Sequence, residues 1–146
     1  MTPGEFGIHN FRRLSPTLTT SGQPDEAQFA ALRDAGVETI INLALSTSPR
    51  ALPDEAAMLA GLGLRYIHIP VEFTAPTEAD FEAFARAMDG LGDTPVHIHC
   101  AANYRVSAFL YRYRIGRLGW TEDAARPDLD AIWEPDAVWQ NFLSRG

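Results

Sequence analysis

Three short runs of β-branched and apolar residues, separated by stretches with helical spacing, constrain this chain more than any other feature in it. Residues 38–45 (ETIINLAL), 65–70 (RYIHIP) and 95–99 (PVHIH) read as buried strands. Pro24, Asp25 and Glu26 open a helix with acids in its first turn, Phe29 and Leu32 continue it, and Gly36 stops it. Pro53, Asp54 and Glu55 start a second helix, with Met58, Leu59 and Leu62 inward and Gly61 and Gly63 at its end. Thr77 with Asp80 three residues later has the form of a capping box, and Phe81, Phe84, Ala85 and Met88 recur at helical spacing up to Gly90. Val106, Phe109, Leu110 and Tyr113 mark a fourth helix to about Arg117, and residues 121–125 and 135–143 read as two more. Residues 17–23, small and polar, read as a loop. Strands joined through helices pair in parallel, so the expected fold is α/β: a three-layer sandwich with a mainly parallel central sheet. Ligands are expected at the carboxyl ends of its strands. Cys100 stands at such an end.

The chain of 146 residues suits one domain, 1–146, and carries no internal repeat, low-complexity tract or long linker. Twelve basic residues against 19 acidic ones give a net charge of -7, which repels phosphate backbones, so no nucleic acid partner is expected. All the basic residues are arginine, which excludes Schiff-base catalysis and a lysine-dependent nucleotide loop. Cys100, the single cysteine, excludes an internal disulfide and a zinc site built on several thiolates. Residues 1–10 lack a basic start followed by an apolar run, and no stretch approaches a membrane span. No signal peptide and no membrane partner are therefore expected, and the reducing cytoplasm is the expected location.

The strongest local signal is the segment 96–107 (VHIHCAANYRVS). A thiol between a buried strand and a helix N-terminus meets converging backbone N–H groups and the positive end of the helix dipole, which favours the thiolate. The same N–H groups of Ala101, Ala102, Asn103, Tyr104 and Val106 would cradle an oxyanion such as phosphate. Arg105 adds a planar fork able to hold two oxygens at once. Nucleophile, cradle and clamp thus lie in one short segment.

In these residues the sequence resembles the cysteine-dependent protein tyrosine and dual-specificity phosphatase superfamily, in its small bacterial branch. The resemblance runs from about Phe11 to Arg145, through Ser21-Gly22-Gln23-Pro24, Ile40-Ile41-Asn42-Leu43, Tyr66-Ile67-His68-Ile69-Pro70-Val71 and the His99-Cys100 loop. It implies a hydrolase for phosphate monoesters, phosphotyrosine among them, working through a phosphocysteine intermediate with no cofactor. The partners it implies are phosphorylated proteins or small-molecule phosphates, with oxyanions as site ligands. Cys100 would attack, Arg105 would hold the oxygens, and Ser107 would hydrogen-bond the thiolate and help it leave. The superfamily loop carries glycine three residues after the cysteine, arginine six after and serine or threonine seven after. Here those places hold Asn103, Val106 and Ser107, and the arginine sits one place early. In a helix one residue is about 100° of rotation and about 1.5 Å of rise, enough to redirect a side chain. Asn103 enters the left-handed region more readily than most residues and partly replaces the glycine. The altered loop leaves two alternatives: a pseudophosphatase that binds phosphorylated ligands without turnover, and a sulfurtransferase, since arginine five after cysteine resembles the rhodanese-like loop.

A leaving alkoxide needs a proton from a general acid on another loop. By resemblance that acid follows the preceding strand, where Glu72 is nearest. Glu78 and Asp80 lie further on, and Asp80 is accounted for by its helix cap. His97 and His99 share a strand face and His68 lies on another strand. Without a carboxylate cluster nearby they read as interior hydrogen-bonding groups, with His99 orienting the loop, and no metal is expected. Arg112, Arg114 and Arg117 read as the solvated side of a helix. Trp120, Trp133, Trp139 and Phe142 read as packing of the C-terminal helices.

Overall fold

Each of the three apolar runs contributes one strand to a five-stranded sheet. The computed structural model describes residues 5–48 and 50–145; residues 1–4, part of the stretch read above for a signal peptide, lie outside it. The strands are β1 (Arg12–Ser15), β2 (Leu18–Ser21), β3 (Thr39–Asn42), β4 (Arg65–His68) and β5 (Val96–His99). Their spatial order is β1-β2-β5-β3-β4, and only the β1 edge is antiparallel, to β2. The expected loop at residues 17–23 is therefore corrected: Leu18–Ser21 is a strand paired along its length with β5. Hydrophobic patterning misses it because its buried side chains, Thr19, Thr20 and Ser21, are polar, and hydrogen bonds to His97 and Asn103 satisfy them.

The helices are α1 (Glu26–Asp34), α2 (Glu55–Gly61), α3 (Glu78–Leu91), α4 (Tyr104–Gly116), α5 (Glu122–Asp130) and α6 (Ala137–Ser144). Asp25 with Gln28, and Thr77 with Asp80, close capping boxes at the starts of α1 and α3. Helix α5 runs on through Pro127, past the end expected near Ala125. Packing explains the layers. Phe29, Leu32 and Leu59 from α1 and α2 cover one sheet face around Ile40, whereas Phe84, Phe109, Trp139 and Phe142 from α3, α4 and α6 cover the other around Ile41 and Ile98. The central sheet between two helical layers is the α/β architecture expected. No helix among the described residues is long and apolar enough to cross a membrane.

Helix α4 runs through the interior, and this overturns the reading of Arg112 and Arg114 as solvated, whereas Arg117 is exposed as expected. Arg112 and Arg114 are buried. The Arg112 guanidinium lies 4.1 Å from the Phe81 ring centroid and 4.6 Å from that of Phe142, and it grips Glu78 at 2.8 and 2.9 Å. That hydrogen-bonded fork holds the Glu78 carboxyl below its ordinary range. Arg114 pairs with Asp128 at 2.6 Å and stacks over Trp120, which is 38% exposed and so packs less deeply than expected. Arg117, at the end of the helix, pairs with Glu82 and Asp89. The long arginine stems bury apolar area while their heads find carboxylates on neighbouring helices, which sequence spacing alone does not reveal.

Candidate active site

The loop between β5 and α4 turns because Asn103 takes the left-handed conformation, φ 69° and ψ 5°. This is the place the superfamily gives to glycine, and the asparagine holds it with its side chain. Its Nδ2 donates to the Asn10 carbonyl at 2.9 Å and to Thr20 Oγ1 at 3.0 Å, while Asn10 Nδ2 donates to the Ala102 carbonyl at 2.8 Å. The side chain makes no N-cap bond, which leaves the first turn of α4 without that acceptor. A missing cap costs about 1 kcal/mol. Burying Phe109 alone is worth about 1.5–3 kcal/mol, so α4 forms with its N-terminus open to a ligand.

The loop carbonyls are held from behind. That of Cys100 faces His99 Nδ1 at 3.3 Å, and that of Ala101 accepts from the Gln23 N–H at 3.1 Å. In a trans peptide the N–H points opposite to the C=O, so the N–H groups of Ala101 and Ala102 turn to the other side of the loop. Gly22 permits this approach: a Cβ there would lie 2.7 Å from the Ala101 carbonyl oxygen. The Ser21-Gly22-Gln23 segment is thus the backing of the loop.

In front of the loop lies a cavity of about 390 Å³, lined by Cys100, Ala101, Ala102, Tyr104 and Arg105 and, from the segment after β4, Glu72 and Phe73. Cys100 is free and fully buried among lining residues. Arg105 is 5% exposed; its Nη1 donates to the Val71 carbonyl at 2.9 Å, its Cζ lies 5.7 Å from the Phe73 ring centroid, and its Nε has no partner. The shifted arginine therefore shares a cavity with the cysteine and also ties the loop to the residue before Glu72. Glu72 is exposed on the cavity wall. Tyr104 stacks on Trp133 with ring centroids 4.5 Å apart and planes at 2°. Trp133, expected only as core packing, thus also backs the cavity wall.

Three expected site residues face elsewhere. The Val106 side chain is fully buried in the core under α4, so only its backbone is available to a ligand. The Asn103 side chain is spent on Asn10 and Thr20, behind the loop. The Ser107 hydroxyl donates to the Tyr104 carbonyl at 2.8 Å and accepts from Trp133 Nε1 at 3.0 Å, so its proton is directed at Tyr104 rather than at the Cys100 sulfur. Helical rotation decides Val106 and Ser107, since each successive residue of α4 points about 100° further round the axis, whereas Asn103 precedes the helix and is turned by its left-handed backbone.

Sequence reasoning passed over Glu55, an acid in a helix first turn. It is buried, and its carboxylate accepts from His99 Nε2 at 2.9 Å and from Gln23 Nε2 at 2.8 Å. Burial alone would push this carboxyl up, but the hydrogen bond and charge of His99, with Gln23 and Tyr66, hold it below the ordinary value. Burial, reinforced by Glu55, pushes the Tyr66 hydroxyl up to about 12. No local pattern signals this cluster, because Glu55 and His99 are distant in sequence. His97 is an interior group as expected. Thr19 Oγ1 lies 2.7 Å from its Nδ1 and Ser21 Oγ 2.8 Å from its Nε2, and burial, then His99, drive its basicity well below the ordinary imidazole. His68 Nε2 donates to the Ala44 carbonyl at 2.7 Å. Among the described residues no three His, Cys, Asp or Glu side chains gather as a metal site would need.

A depressed carboxylate adds stability that is present above its unfolded value and lost as pH falls through its lower folded value. Wild type is expected to exceed Glu55→Gln by about 1–3 kcal/mol at pH 7. The gap should narrow as pH falls below about 4.3. Urea melts across this range check it; a gap independent of pH would contradict the assignment.

Comparison with known proteins places this geometry. Residues 11–132 match the family described as PTP-NADK, the DSP-PTPase phosphatase fused to NAD+ kinase. The dual specificity protein phosphatase TpbA of Pseudomonas aeruginosa is 27% identical over 122 residues, 82% of this chain and 53% of TpbA. A beta-lactamase hydrolase-like protein of Agrobacterium fabrum is 33% identical over 96 residues, 64% of this chain and 22% of that protein. The chain therefore spans about half of one of these relatives and about a fifth of the other. A DUF442 protein of Shewanella putrefaciens CN-32, provisionally described as a phosphatase, superposes with a TM-score of 0.85 at 35% identity, over 97% of this chain and 95% of that one. A Cys-to-Ser variant of TpbA in complex with phosphotyrosine shares the fold, with a TM-score of 0.69 at 22% identity over 94% of this chain and 91% of that one.

Proposed function

Since the chain belongs to the DSP-PTPase phosphatase family, we propose that it hydrolyses a phosphate monoester through a phosphocysteine intermediate on Cys100. The observation that carries this reading is Arg105: a buried guanidinium on the same cavity as Cys100, with its Nε unpartnered. A buried, unmatched guanidinium donor is unfavourable, and an anion in the cavity would relieve it.

In the first step the Cys100 thiolate attacks phosphorus, the S–P bond forms and the P–O bond to the leaving group breaks. Glu72, on the cavity wall, gives that oxygen its proton. The Ala101 and Ala102 N–H groups, the first turn of α4 and Arg105 take the charge on the other phosphoryl oxygens. In the second step water attacks phosphorus, Glu72 takes its proton back, and the S–P bond breaks to release inorganic phosphate and the thiolate. Ser107 would stabilise that thiolate only after its hydroxyl turned from Tyr104. TpbA, seen with phosphotyrosine, and the aromatic wall of Tyr104 and Phe73 favour an aryl phosphate such as phosphotyrosine, on a protein or a small molecule. A reducing compartment such as the cytoplasm suits the free thiol.

The test is turnover of an aryl phosphate beside sulfur transfer from thiosulfate to cyanide. Aryl phosphate hydrolysis alone is expected, and thiosulfate activity alone would reverse the reading in favour of a sulfurtransferase. In the same preparation vanadate at a hundred times its Kd should stabilise the fold by about 2.7 kcal/mol. A vanadate shift without turnover would identify a phosphate-binding relative that has lost catalysis.

A further inference from the structure

We propose that Glu55 is a positioning residue that holds the His99 ring doubly protonated beneath the Cys100 carbonyl. The geometry leaves few alternatives. His99 Nε2 meets the Glu55 carboxylate at 2.9 Å and His99 Nδ1 meets the Cys100 carbonyl at 3.3 Å, both of them acceptors. Were the ring neutral with its proton on Nε2, the Nδ1 lone pair would face the carbonyl oxygen. With the proton on Nδ1, the Nε2 lone pair would face a carboxylate.

Protonating Glu55 does not resolve the conflict. Its two oxygens face Gln23 Nε2 at 2.8 Å and His99 Nε2 at 2.9 Å, a set of donors suited to an ionised carboxylate. Asn42 Nδ2 donates to the Tyr66 oxygen at 3.0 Å. Among the groups around the ring, α2 contributes Glu55, β4 Tyr66, β5 His97 and the loop Cys100. Helix α1 contributes the Phe29 ring, its centroid 5.5 Å from that of His99 with the planes at 64°, which carries no charge. His97 is kept neutral, so it does not compete for the proton. Glu55 is thus the anion that compensates a buried imidazolium.

The pair acts on the loop through one peptide plane. A charged N–H on the Cys100 carbonyl is a stronger tether than a neutral one and fixes the Ala101 N–H on the opposite side. The step rests on the phosphatase reading only for what that N–H is used for. The charge state itself does not.

Long-range proton–nitrogen spectra of the His99 ring at pH 7, on wild type, Glu55→Gln and Glu55→Asp, test it. Wild type is expected to show both ring nitrogens protonated. Glu55→Gln should show one protonated nitrogen, with vanadate affinity and aryl phosphate kcat/KM each down about tenfold, as the loss of one charge-assisted bond implies. Glu55→Asp should restore part of both. A wild-type ring with one bare nitrogen overturns the proposal, as does a Glu55→Gln ring that stays doubly protonated; the wild-type spectrum decides even if the variant does not fold. A doubly protonated wild-type ring in a protein without aryl phosphate turnover would uphold the pair and sink the phosphatase reading instead.

Discussion

Moving the arginine one place along the loop, Arg105→Gly with Val106→Arg, is expected to lower aryl phosphate turnover by about a hundredfold or more rather than restore an ordinary phosphatase loop. Arg105 already borders the cavity with Cys100, tethered to the Val71 carbonyl and resting near Phe73. Val106 points into the core beneath α4 and is wholly buried there. An arginine at that place would carry an unpaired charge into apolar surroundings, at about 3–5 kcal/mol. Removing Arg105 also releases the segment that carries Glu72. The melting temperature should fall by roughly 10 °C or more, since each kcal/mol is worth roughly 2–4 °C in a domain of this size. Arg105→Ala separates the two effects, with a loss of about 10²–10³ in kcat and a smaller change in melting. A double variant that melts normally and turns over faster than wild type would show that Arg105 is misplaced, and would defeat its assignment as the clamp.

Cys100→Ser is expected to reduce turnover by at least about 10⁴-fold while the protein still folds and still gains stability from vanadate. The serine hydroxyl fits the same buried position, and the loop is held by groups that the change does not touch: Gln23 on the Ala101 carbonyl, Asn10 on that of Ala102, and Asn103 on Thr20 and Asn10. What is lost is the sulfur nucleophile on which the covalent step depends. Steady-state assays with a melting curve on one sample distinguish these. Turnover within tenfold of wild type would exclude covalent catalysis by Cys100, and loss of the vanadate shift would make the thiolate itself part of the anion site.

Local signals carried most of the fold. The runs at residues 38–45, 65–70 and 95–99 became β3, β4 and β5, and the capping residues Asp25 and Thr77 start the helices expected of them. Strand β2 escaped because its reason for being buried lies in His97 and Asn103, far along the chain. The same held for Arg112 and Arg114, whose carboxylate partners sit on other helices.

At the site, sequence alone determined that a cysteine stands between a strand and a helix, that an arginine follows it one place early, and that an asparagine occupies the position needing a left-handed backbone. Those are properties of neighbouring residues, and backbone sterics and helix geometry act over that range. Only the tertiary structure decided which side chains face the cavity. It put Arg105 on the same cavity as Cys100 and Val106 in the core, turned Ser107 toward Tyr104 and Trp133, and brought Glu55 to His99. The physical reason is that burial and hydrogen-bond satisfaction are settled between elements. A helix fixes the angle between successive side chains, but the sheet and helices packed around it decide which of those angles points at a ligand.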